Sequence, residues 1–179
     1  MTAEPASLLT WTHTIKSVGP RGVTVNRQAT AAECEQLRSN LDVVAVEQFH
    51  ARYTLTQQSG AAVLLAGGFT AKLTQACIVT LEPVPQTLDE EFAVTFAPPH
   101  KVAEPGTAER SVLEEPDMEV LSGDTIEAGR VLFELLSAAI DPYPRKDTAQ
   151  FDWQDPKSGP DVAEALNPFA ALSKFKAKD

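Results

Sequence analysis

The side chains able to do chemistry in this 179-residue sequence are few and far apart. A catalytic triad or a zinc centre draws several nucleophilic or ligating groups together, and zinc sites bring theirs at short, recognisable intervals. His13, His50 and His100 stand singly and show no such interval. The two cysteines, Cys34 and Cys77, are too few for a disulfide framework and read as free thiols in a reducing compartment. The acidic runs Asp89-Glu90-Glu91 and Glu114-Glu115 are accounted for by a solvated face. Glu134 sits within an apolar helical pattern, and Arg130, four residues earlier, is its natural partner. Gly67-Gly68 lacks the lysine and the helix signal that would complete a phosphate loop. The sequence therefore predicts no catalytic residue, no metal, no cofactor and no small-molecule substrate.

The elements that would carry these residues follow from periodicity. Trp11 to Val18 alternates as a strand, Gly19-Pro20-Arg21-Gly22 turns, and Val23-Thr24-Val25 resumes. Thr30-Ala31-Ala32-Glu33 is a capping box opening a helix from about Ala31 to Asn40. Phe49, Ala51, Tyr53 and Leu55 alternate with polar residues in a strand over 43–57, and Ala61 to Leu73 returns after Ser59-Gly60. Gly67-Gly68 reads as a bulge or bend in that second strand. Cys77 to Leu81 reads as a short buried strand closed by Glu82-Pro83-Val84-Pro85, and Phe92, Val94 and Phe96 share one face of the next. Apolar residues at helical spacing from Ile126 give a helix to about Ile140, stopped by Asp141-Pro142-Tyr143-Pro144. The expected class is α+β: a bent antiparallel sheet or partly open barrel packed by two main helices. Residues 1–10 form a leader, 11–155 one domain with a mobile loop at 97–116, and 156–179 a linker and short helix with Asn167 as its cap.

Charge is uneven. Residues 1–86 carry equal numbers of acids and bases, whereas 87–165 carry eighteen acids against six bases, and the whole has a net charge of −10. Such a balance excludes a broad phosphate-binding surface. No apolar run approaches the roughly 20 residues of a membrane span, and no secretory signal opens the chain, so a cytoplasmic location is expected.

Three ordered stretches, QACIVTLEPV followed by DEEFAVTFAP, then DTIEAGRVLFELLSAAIDPYPRK, then NPFAALSKF, resemble the YceD family of large ribosomal RNA subunit accumulation proteins, in its proteobacterial branch with DPYPR after the late helix. The resemblance implies a bacterial cytoplasmic protein needed for accumulation of 23S ribosomal RNA, with no enzymatic activity. Members elsewhere carry a C-x-x-C pair at the first stretch; here Cys77 is kept and Thr80 stands at the second position. The family motif places Arg145 after fixed prolines, where a guanidinium can meet phosphate or stack on a base. With Lys146, Tyr143, Arg52 and Lys72 it makes the candidate set for contact with large-subunit RNA or ribosomal precursor proteins. The competing reading is an acidic protein–protein adaptor whose effect on ribosomal RNA is indirect, with Arg145 neutralising nearby carboxylates and Tyr143 packing a corner.

Overall fold

The computed structural model describes residues 10–99, 117–121 and 123–150. The chain divides into two units, residues 1–147 and 148–179, the second contributing only 148–150 to the described residues. Most of the expected leader and of the 97–116 loop, and the C-terminal helix, lie outside them.

In the first unit, β1 (His13–Thr14) is followed by β2 (Val23–Gln28), α1 (Ala31–Leu41), β3 (Ala45–Gln57), β4 (Val63–Ala76), β5 (Pro83–Ala97), β6 (Asp117–Val120), β7 (Thr125–Ile126) and α2 (Ala128–Ala139). A five-stranded sheet runs in the order β2-β3-β4-β5-β6, and β1 pairs with β7 separately. The α+β class holds. Pairing is antiparallel from β2 to β5, but β5 and β6 run parallel, against the expected all-antiparallel sheet. Among the described residues nothing joins β2 to β6, so the sheet is open and is not a closed barrel.

The core forms on one face of this sheet. Phe49, Ala51, Tyr53 and Leu55 of β3 meet Leu65, Phe69, Ala71 and Leu73 of β4 and Val94 and Phe96 of β5, with Leu132 and Leu136 of α2 in the same cluster. The alternation read from the sequence therefore points inward as expected. Helix α1 carries the capping box: Thr30 Oγ1 accepts from the Glu33 amide, and the Glu33 carboxylate accepts from the Thr30 amide at 2.7 Å. Cys34 and Leu37 are buried on its inner side.

Three expectations change. Trp11 to Val18 is extended only at β1, then turns through a 3₁₀ stretch at Ile15–Ser17. Trp11 and Val18 are both buried, yet a straight strand would put residues seven apart on opposite faces. The Gly67-Gly68 pair makes no bulge, since the ladder passes through it in register on both sides, and the one irregularity in these two described ladders falls at Val46/Gln48. The reason for Gly67 is close approach: a Cβ there would lie 2.2 Å from the Arg52 carbonyl oxygen and 2.5 Å from Tyr53 Cα. Finally, Cys77 to Leu81 is the turn between β4 and β5, and Pro83 and Pro85 open β5 where a corner was expected. Prolines fit there because β5 has no described partner on its far side until Val94, so no ladder bond is lost.

Candidate functional site

The β4–β5 turn and the segment after α2 meet at one end of the sheet. The Ile78 amide donates to the Pro144 carbonyl at 2.9 Å, and Gln75 Nε2 donates to the Asp141 carbonyl at 2.9 Å. Lys146 Nζ pairs with Glu82 Oε2 at 2.9 Å, which holds the Glu82 carboxyl below its usual range. Asp141 Oδ1 accepts from the Tyr143 amide at 2.8 Å and shapes the proline corner locally. Two stretches more than sixty residues apart in sequence are thereby joined by main-chain and side-chain bonds. A side-chain pair alone would hold them less firmly.

Cys77 is the buried pivot of this junction. Its amide donates to the Glu82 carbonyl at 2.8 Å, and its carbonyl accepts from the Leu81 amide at 2.9 Å. The Thr80 side chain and the backbone of Lys146, Thr80 and Val79 pull the pKa of the thiol down to about 6 against the opposing effect of burial. Three residues after Cys77 stands Thr80, whose hydroxyl lies 3.4 Å from Glu82 Oε2. The residues present do not fit a tetrahedral thiolate centre, and among the described residues no three His, Cys, Asp or Glu side chains gather around a common point.

The turn displays what it does not bury. Leu81 holds φ at +60°, a left-handed conformation that costs a leucine about 1 kcal/mol. Its side chain is 78% exposed, beside Ile78 at 52%, and Tyr143 on the neighbouring segment is 71% exposed. Arg145 is exposed, and no described residue forms an ion pair with it, whereas Lys146 is committed to Glu82.

The structure therefore unites only part of the candidate set. Tyr143, Arg145 and Lys146 share the junction. Arg52 and Lys72 lie on the outer face of the sheet, in β3 and β4. Arg52 faces Gly68, and Lys72 is four residues further along β4, roughly 13 Å away by strand rise. Cys77, Ile78 and Leu81 escaped the sequence-based set because an apolar β-branched run reads as a strand; the Cys-x-x-Thr spacing was the available signal. The predicted Arg130–Glu134 pair is present at 2.7 Å, and Arg130 also binds Glu127 and Glu119, tying α2 to β6.

A second polar cluster, with Trp11 and Glu33 buried and Arg27 exposed at its rim, lies near the N-terminal segment. Trp11 Nε1 donates to Glu33 Oε1 at 2.6 Å, and Arg27 Nη2 reaches the same oxygen at 3.1 Å. The Arg27 guanidinium also lies 4.3 Å from the centre of the Trp11 ring. Burial raises the pKa of Glu33, but the Thr30 amide, Trp11, the Thr30 hydroxyl and Arg27 together hold it below the ordinary value. His13 and Tyr53 share a 2.8 Å hydrogen bond; burial lowers the first pKa and pushes the second up to about 12. These groups satisfy one another.

No helix among the described residues is long and apolar enough to cross a membrane. No curated protein and no solved structure matches the chain significantly. The sequence pattern of one family, described as large ribosomal RNA subunit accumulation protein YceD, matches residues 65–176. That span contains the β4–β5 turn and the proline corner bonded to it, and it covers more than half of the chain: the protein belongs to the YceD family.

Proposed function

We propose that the protein is a non-enzymatic ribosome-biogenesis factor that supports accumulation or processing of large-subunit (23S) ribosomal RNA by binding a precursor particle. The observation that carries this reading is the junction itself. Two segments inside the family span are bonded into one tip, and that tip presents an aromatic ring, Tyr143, and an uncommitted guanidinium, Arg145. Such a pair can stack on an unpaired base and meet its phosphate. With one cation outside any ion pair among the described residues of this tip, the contact is local, which suits a chain of net charge −10.

The test is co-sedimentation of wild-type and Tyr143→Ala/Arg145→Ala proteins with large-subunit precursors across a salt series. Association should weaken by about tenfold, and its logarithmic salt slope should fall by about 0.7–0.9, the value of one lost phosphate contact. The midpoint of thermal unfolding should stay within about 2 °C, since both side chains are exposed. Lys146 is left intact because its removal would disturb the Glu82 pair. Undiminished association would sink the reading. Absence of any co-sedimentation by wild type would favour the adaptor reading, which the exposed Asp89, Glu90 and Glu91 support.

A further inference from the structure

Among the described residues, the far edge of β5 is open over most of its length. Strand β6 pairs only with Val94–Ala97, so among the described residues nothing pairs with β5 from Pro83 to Ala93 on that side. The direction of its backbone groups follows from two observations. The Ala97 carbonyl accepts from the Leu121 amide at 2.8 Å, so residues of Ala97's parity turn their groups away from β4. Pro83 and Pro85 share that parity and have no amide to lose. The β4–β5 ladder has no register shift, so Thr87, Asp89 and Glu91 each present an amide and a carbonyl to the open side.

A recess of about 370 Å³ lies against this edge, lined by Phe69, Phe92, Leu135, Ala138 and Ala139, with Glu90 and Glu91 at its lip. Asp89, Glu90 and Glu91 are exposed and form no ion pair among the described residues. Acids on both faces of an open edge discourage pairing between two copies of this chain, because like charges would stand opposite one another. The chain's own residues ahead of β6 end in Glu114-Glu115-Pro116, which carry the same charge and lack one amide.

We infer that the open edge of β5 takes an extended, lysine- or arginine-bearing segment of a partner protein as an added strand. Main-chain bonds to Thr87, Asp89 and Glu91 would supply affinity. Cations flanking an apolar residue would meet the Asp89 and Glu91 carboxylates on one face, while that residue enters the recess on the other. This inference stands apart from the RNA reading, since it uses neither Tyr143 nor Arg145.

The probe is a fluorescein-labelled Lys-Val-Lys-Val-Lys-Val-Lys peptide titrated into the full chain and followed by anisotropy and amide exchange. Wild type should bind it, should ignore the Glu-for-Lys counterpart, and should show slowed exchange at Thr87, Asp89 and Glu91. Thr87→Pro should weaken binding about tenfold or more without a change of charge, as Pro85 already occupies an equivalent position. Ala138→Trp, on the exposed side of α2, should fill the recess and weaken binding as well. Asp89→Asn/Glu91→Gln should weaken it and flatten its salt dependence. Equal binding by wild type and Thr87→Pro, or none by wild type, overturns the inference. So does a polyuridine probe that protects the same three amides, or a wild-type dimer that Thr87→Pro splits.

Discussion

Glu33 shows how one carboxylate can cap a helix and anchor a remote segment together. One oxygen serves the start of α1 through Thr30, and the other takes the Trp11 indole and Arg27. With only 2% of the residue exposed, removal of the carboxylate leaves buried donors without partners. Glu33→Ala should cost about 3 kcal/mol and Glu33→Gln about 1–2 kcal/mol in urea unfolding at pH 7. The pH dependence has a definite sign. The folded-state pKa lies below the ordinary one, so the carboxylate's advantage is complete above the unfolded-state value. It is lost as pH falls through the lower, folded-state value. The gap between wild type and Glu33→Gln should therefore close in acid; a gap that stays constant down to pH 3 would assign the loss to shape and not to charge.

At the scale of elements, β4 draws its character from two glycines that behave differently. A methyl group at Gly67 would meet main-chain atoms of Arg52 and Tyr53 well inside contact distance, and neither can move without breaking the β3–β4 ladder. At Gly68 the nearest atom is the Glu90 carbonyl oxygen at 3.0 Å, which a small shift relieves. Gly67→Ala should thus destabilise by about 2–4 kcal/mol and Gly68→Ala by under about 1 kcal/mol, measured as the difference in chemical unfolding. Equal losses would show that the approach at Gly67 is not the constraint. The same strands show which elements the sequence revealed. Strands β3 and β4 and both helices were legible because one buried face imposes a period. The Cys77–Leu81 turn was not, since β-branched residues favour a strand locally while Pro144, Asp141 and Lys146, distant in sequence, decide the outcome. The proline-opened β5 and the parallel β6 were hidden for a related reason: edge position and strand direction are set by partners, not by composition. Of the candidate site, the corner residues Tyr143, Arg145 and Lys146 were visible from their prolines. Their neighbours Ile78 and Leu81, and the commitment of Lys146 to Glu82, emerge only in three dimensions.

For the whole molecule, what matters is where distant parts of the chain are fastened to each other. Strand β1 finds its partner in β7, His13 opposite Ile126 and Thr14 opposite Thr125, and the Gly129 amide donates to the Trp11 carbonyl at 2.9 Å. Roughly 110 residues separate the two sides of this seam, so at ordinary rates of synthesis the first side waits on the order of 10 s for the second to be made. Until then Trp11 can find Glu33 and Phe49, but the backbone groups on its open side have only water. Chains halted on the ribosome with residue 97 exposed should accordingly show proteolytic cleavage around Trp11 to Thr14, and chains halted after residue 147 is clear of the exit tunnel should resist it. Early resistance would mean that the seam is dispensable for ordering the segment. The segment made first is, on this account, among the last to be locked in place.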